Sequence, residues 1–72
     1  MNMTTRLWNG TRDSHPYHAR TKMLNGGIIE VDVIIFHRRT GEPFDSFIRT
    51  VEDDGRGYRA WVRAVIANPD NF

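Results

Sequence analysis

Residues 28–37, IIEVDVIIFH, constrain this chain more than any other stretch. The run is dense in β-branched side chains, which suit a pleated, half-buried surface. Strict alternation sends Ile29, Val31, Val33 and Ile35 to one side and Glu30 and Asp32 to the other. The second side turns apolar at Ile34 and Phe36. Such a segment predicts a central strand with one fully buried face, so it demands partner strands beside it and a cover above it.

Turn chemistry brackets the run. Upstream, Asn25, Gly26 and Gly27 tolerate positive φ and form a strong hairpin cue, with residues 18–24 as the partner strand. Downstream, Thr40 and Gly41 mark a turn before Pro43, and residues 44–51 return as a third strand. With Thr40 and Gly41 at the tip, Asp32 faces Arg49, Val33 faces Ile48 and Ile34 faces Phe47; a slip of one residue would set Val33 against Phe47 instead. Beyond the strand, Asp54 reads as a helix N-cap. Tyr58, Trp61, Val62, Val65 and Ile66 follow helical spacing as one apolar stripe, and Pro69 ends it. The expected helix is 56–67, with Gly55 and Gly57 weakening its first turn.

Residues 1–17 carry no comparable pattern. Arg6, Leu7 and Trp8 read as a short edge strand at most, Asn9-Gly10 as a turn, and Asp13 to Pro16 as a loop. The expected architecture is therefore α+β: a three-stranded antiparallel meander sheet packed against one C-terminal helix, preceded by a partly extended N-terminal arm. In domain terms this is an arm at 1–17 and a β-β-β-α domain at 18–72. The predicted core is Ile29, Val31, Val33, Trp61, Val62 and Val65. A chain of 72 residues supports one such core with little margin. A monomer or a weak homodimer is expected.

Composition removes several function classes. The chain has no cysteine, so disulfide frameworks and thiolate metal sites are excluded. No apolar run reaches the roughly 18–20 residues of a membrane span. Residues 1–10 are polar and include Arg6, unlike a secretory signal, so a cytoplasmic location is expected. Charge is nearly balanced at ten basic against nine acidic residues, which does not suit a polycation that coats nucleic acid. The basic excess falls in the first 27 residues, where Arg6, Arg12, Arg20 and Lys22 meet only Asp13.

No catalytic or cofactor set emerges. His15 and His18, with His37 as a third imidazole, lack the closed ligand set that zinc requires. Neither Gly26-Gly27 nor Gly55-Arg56-Gly57 matches a phosphate cradle, and Glu52-Asp53-Asp54 lacks the spacing of a calcium loop. The expectation is a non-enzymatic protein without metal or cofactor. Two binding readings stand. Arg6, Trp8, Arg12, Tyr17 and Arg20 put arginine and aromatic residues, the types enriched at binding hot spots, in the arm, unless Trp8 folds back to plug an open side of the sheet. Alternatively, Arg56, Arg59 and Arg63 on a helix flank, with Arg38 and Arg39 at the hairpin turn, contact nucleic-acid phosphates.

Two resemblances bear on that choice. A three-stranded sheet followed by a helix is similar to the arm-type DNA-binding domains of phage integrases, with Arg39-Thr40-Gly41-Glu42-Pro43-Phe44 as the sequence echo. As a whole, the chain resembles the small lytic-phage proteins that bind host RNA polymerase, inhibit initiation and act as antiterminators. Its size, its lack of cysteine and the arrangement of residues 1–8 before a hairpin-and-helix core carry that likeness. The resemblance implies a protein–protein mode of action in the host bacterial cytoplasm, with the large subunits of RNA polymerase as target. It assigns no binding residue. An anti-CRISPR-type or other host-takeover protein fits the same features.

Overall fold

The computed structural model describes residues 5–72, so the first four residues of the expected arm lie outside it. The fold is α+β: a four-stranded antiparallel meander with one C-terminal helix across one face. The strands are β1 (Thr5–Arg12), β2 (His15–Met23), β3 (Ile28–Phe36) and β4 (Pro43–Glu52), in spatial order β1-β2-β3-β4. The helix α1 spans Tyr58–Ala67.

The sheet thus has one strand more than expected. Within the described part of the arm, β1 pairs along its whole length with β2, from Thr5 opposite Lys22 to Arg12 opposite His15. Two residues, Asp13 and Ser14, make the connection with φ of 51° and 70°. That is the left-handed geometry a tight hairpin needs, supplied without glycine. Neither Asn9 nor Gly10 turns the chain; both sit inside β1. By contrast, Asn25–Gly27 does form the expected connection, as a 3₁₀ turn with Gly26 and Gly27 at positive φ.

The register of the last hairpin also differs from the expected one by a residue. Val33 faces Phe47, Asp32 faces Ile48 and Val31 faces Arg49. An irregularity between Ile35 and Phe36 absorbs the offset before the turn closed by His37 N–H to Glu42 O (2.7 Å) and Gly41 N–H to His37 O (2.8 Å). The physical reason is parity. Partners across a ladder share a face, and this pairing puts Val51 and Phe47 with Ile29 and Val33 beneath the helix. Asp32 consequently pairs with Arg20 of β2, at 3.0 Å, and not with Arg49.

The core lies between sheet and helix. Ile29, Val31, Val33 and Ile35 of β3 are fully buried beneath Trp61, Val62, Val65 and Ile66 of α1. Tyr17 and Ala19 from β2 and Val51 from β4 complete it. The helix begins at Tyr58, leaving Arg56 in the preceding loop. Gly57, with φ 92° and ψ 162°, occupies the N-cap and offers no side-chain cap. Asp54, expected in that role, instead accepts the Arg56 backbone N–H at 3.1 Å and the Arg56 guanidinium. The hydrogen bonds to Arg56 hold the Asp54 carboxyl below the usual carboxylate range. At the other end α1 stops before Pro69, where the expected terminus falls. A 3₁₀ turn at Pro69–Asn71 then brings Phe72 edge-on to Trp61. Among the described residues, no helix is long and apolar enough to cross a membrane.

Candidate functional site

Strand β1 is an edge of the sheet, so part of its backbone has no ladder partner. Beside that edge runs a groove of about 700 Å³ between β1 and α1. Its sheet wall is built by the alternation of β1 and β2: Trp8 faces Ala19 and Gly10 faces Tyr17 on the helix side. Gly10 leaves the space that Tyr17 fills. A Cβ at position 10 would stand 2.7 Å from the tyrosine Oη. The helix wall presents Val62 and Ile66, with Arg59 and Arg63 one helical turn apart beside them. Arg12 closes the end nearest the β1–β2 turn.

The electrostatics of the groove are one-sided. Its lining carries the guanidinium groups of Arg12, Arg59 and Arg63 against the carboxylate of Asp13. Arg12 is paired with Asp45 at 3.5 Å. Among the described residues, no ion pair involves Arg59 or Arg63. Leu7 lies at the outer lip with 80% of its surface exposed, wrapping the groove around the strand edge.

The ten arginine and aromatic candidates read from the sequence are redistributed by this geometry. Trp8 is no free anchor. It is half-buried against the core, and its indole Nε1–H donates to Thr21 Oγ1 at 2.9 Å. Tyr17 is buried, Arg6 stacks over the Tyr58 ring at 5.4 Å, and Arg20 lies on the opposite face with Asp32. The expected helix flank also splits. Arg56 is held by Asp54 at 2.9 Å and by the Trp61 ring at 4.2 Å, while Arg59 and Arg63 turn to the groove. Arg38 and Arg39 are exposed at the β3–β4 turn. Hence Trp8, Arg12, Tyr17, Arg59 and Arg63, drawn from both candidate sets, converge on one site. Leu7, Gly10 and Ile66 join them. Only the alternation of Trp8, Gly10 and Arg12 against Leu7, Asn9 and Thr11 signals this in the sequence.

A second cluster sits at the end of the sheet. His15 and His37 approach at 5.1 Å between ring centroids, and Phe44 packs edge-on to His15 at 4.4 Å. Each imidazole is tied to the β3–β4 turn, His15 Nδ1 accepting the Arg38 N–H at 3.0 Å and His37 Nδ1 accepting the Arg39 N–H at 3.2 Å. His18 is elsewhere, on the open face against Phe36. Partial desolvation, then the proximity of His37 and Arg38, pushes His15 below the ordinary histidine value of 6.5. Among the described residues, no three histidine or carboxylate side chains gather as a metal site.

Comparison with protein-family models, curated proteins and solved structures finds no match for this chain.

Proposed function

We propose that the chain is a non-enzymatic regulator of phage type that docks on a host protein, with RNA polymerase as the first target to test. The observation that carries the docking reading is the open edge of β1 beside a groove with two arginines that make no ion pair among the described residues. An extended segment of the partner adds to β1 through main-chain hydrogen bonds. Its side chains then reach the arginines and the apolar floor of Val62 and Ile66, which is how strand addition combines affinity with specificity. The polymerase assignment rests on the whole-chain resemblance.

The same arginines would also serve a phosphate backbone, and the exposed pair Arg38 and Arg39 favours that second reading at the hairpin tip. The open sheet face argues against a major-groove mode like that of the integrase domains. There Arg20 and Lys22 of β2 are balanced by Asp32 and Glu30 of β3, their direct ladder partners. A face that reads DNA carries a positive excess instead.

The test is co-purification with RNA polymerase from a bacterial lysate, followed by transcription with and without the protein. Wild type is expected to associate and alter transcript yield. A variant carrying Arg59→Glu and Arg63→Glu is expected to lose both effects while keeping its circular dichroism spectrum. Absence of association and of any transcriptional change overturns the polymerase assignment. Tight duplex DNA binding that weakens steeply with salt would establish the second reading in its place.

A further inference from the structure

We infer that the uncovered face of the sheet is a self-association surface, and that two copies pack through it face to face about a two-fold axis parallel to the strands, between β2 and β3. The helix covers only one face. The ladder partners place Leu7, Arg20, Asp32 and Ile48 in a single row across the other. The adjoining row runs Thr5, Lys22, Glu30 and Thr50. Both rows are antisymmetric about the sheet's centre line, with cations on β2 and anions on β3.

A two-fold along that line exchanges β2 with β3 and β1 with β4. Arg20 then lies over Asp32 of the second copy, and Lys22 over its Glu30. Leu7, 80% exposed, meets Ile48, 56% exposed. Each charge of these two rows finds the opposite sign and the two large exposed aliphatic side chains find each other. The alternative two-fold, perpendicular to the strands, would stack Arg20 on Arg20 and Asp32 on Asp32. An isologous interface requires such self-complementarity, and aligned packing of sheet on sheet supplies its geometry.

The area is adequate. Four strands of eight to ten residues, spaced roughly 4.8 Å apart with a rise of roughly 3.3 Å per residue, make a face of about 550 Å². Two such faces bury about 1,100 Å², above the ~1,000 Å² that a specific interface needs. The outer edge of β1 stays open in this arrangement, and Leu7 is the one residue shared with the lip of the proposed docking groove, so Ile48→Lys separates the two surfaces.

Sedimentation equilibrium on the full chain tests it. Wild type is expected to show a reversible monomer–dimer equilibrium. Leu7→Glu and Ile48→Lys, each at an exposed position, are expected to weaken it by about tenfold or more with unchanged circular dichroism. An equimolar mixture of the two variants is expected to recover dimer, detected as the mixed species by native mass spectrometry, because position 7 of one copy faces position 48 of the other. A wild type that stays monomeric up to about 1 mM, a dimer indifferent to both substitutions, or no recovery on mixing would each overturn the inference.

Discussion

Thr21 is the one fully buried polar side chain of the described core, and its hydroxyl oxygen accepts a hydrogen bond from the Trp8 indole N–H. A buried hydroxyl stripped of its partner costs about 1–3 kcal/mol. Trp8→Phe is therefore expected to lower unfolding free energy by about that much in urea titration, whatever it does to binding. Val33→Ala, which empties a fully buried site in β3, is expected to cost about 1–3 kcal/mol by the same measurement. His15 gives a pH signature. Its folded-state pKa lies below the ordinary 6.5, so the unfolded chain takes up the proton first. Stability is full above that value and is lost as pH falls toward the folded-state pKa, below which this group costs nothing more. The melting temperature should fall as the pH drops below about 6.5 toward the folded-state pKa, and less so in His15→Asn. The burial of Ile29, Val31 and Val33 was legible from alternation alone. For Trp8 a fold-back onto the sheet was legible but its partner was not, because nothing in a local pattern says that position 8 will meet position 21.

At the level of elements, β1 hid behind its own turn. Hairpin turns announce themselves through glycine or asparagine, and here Asp13 and Ser14 adopt positive φ unaided, while Asn9-Gly10 offers a false cue inside the strand. The register of the β3–β4 pair hung on the irregularity at Ile35 and Phe36, a feature of tertiary packing that no residue type marks. The helix was legible because one stripe of Trp61, Val62, Val65 and Ile66 has a single use in a two-layer fold. Its entry depends on Gly57, whose φ of 92° and ψ of 162° belong to a region that side chains resist. Gly57→Ala should destabilise by about 1–3 kcal/mol, readable as a lower denaturation midpoint with an unchanged slope.

For the whole molecule, the candidate site was half legible. Arginine and aromatic enrichment was visible in the sequence, but the convergence of β1 residues with Arg59 and Arg63 required the topology. If that convergence serves docking, charge reversal at Arg59 and Arg63 should abolish partner capture and leave the melting temperature within a few degrees, since neither residue belongs to the core. The meander has one more consequence, for biosynthesis. Each strand finds its neighbour as soon as both have left the ribosome, whereas the lid over β3 is encoded last, at residues 61–66. Wherever the sheet pairs before residues 61–66 arrive, Ile29, Val31, Val33 and Ile35 stand in water, and that interval is when the chain is most exposed to aggregation. A nascent chain arrested with residues 1–57 clear of the exit tunnel would present a β-meander that chaperones recognise, and emergence of the following ten residues, Tyr58–Ala67, would end that recognition.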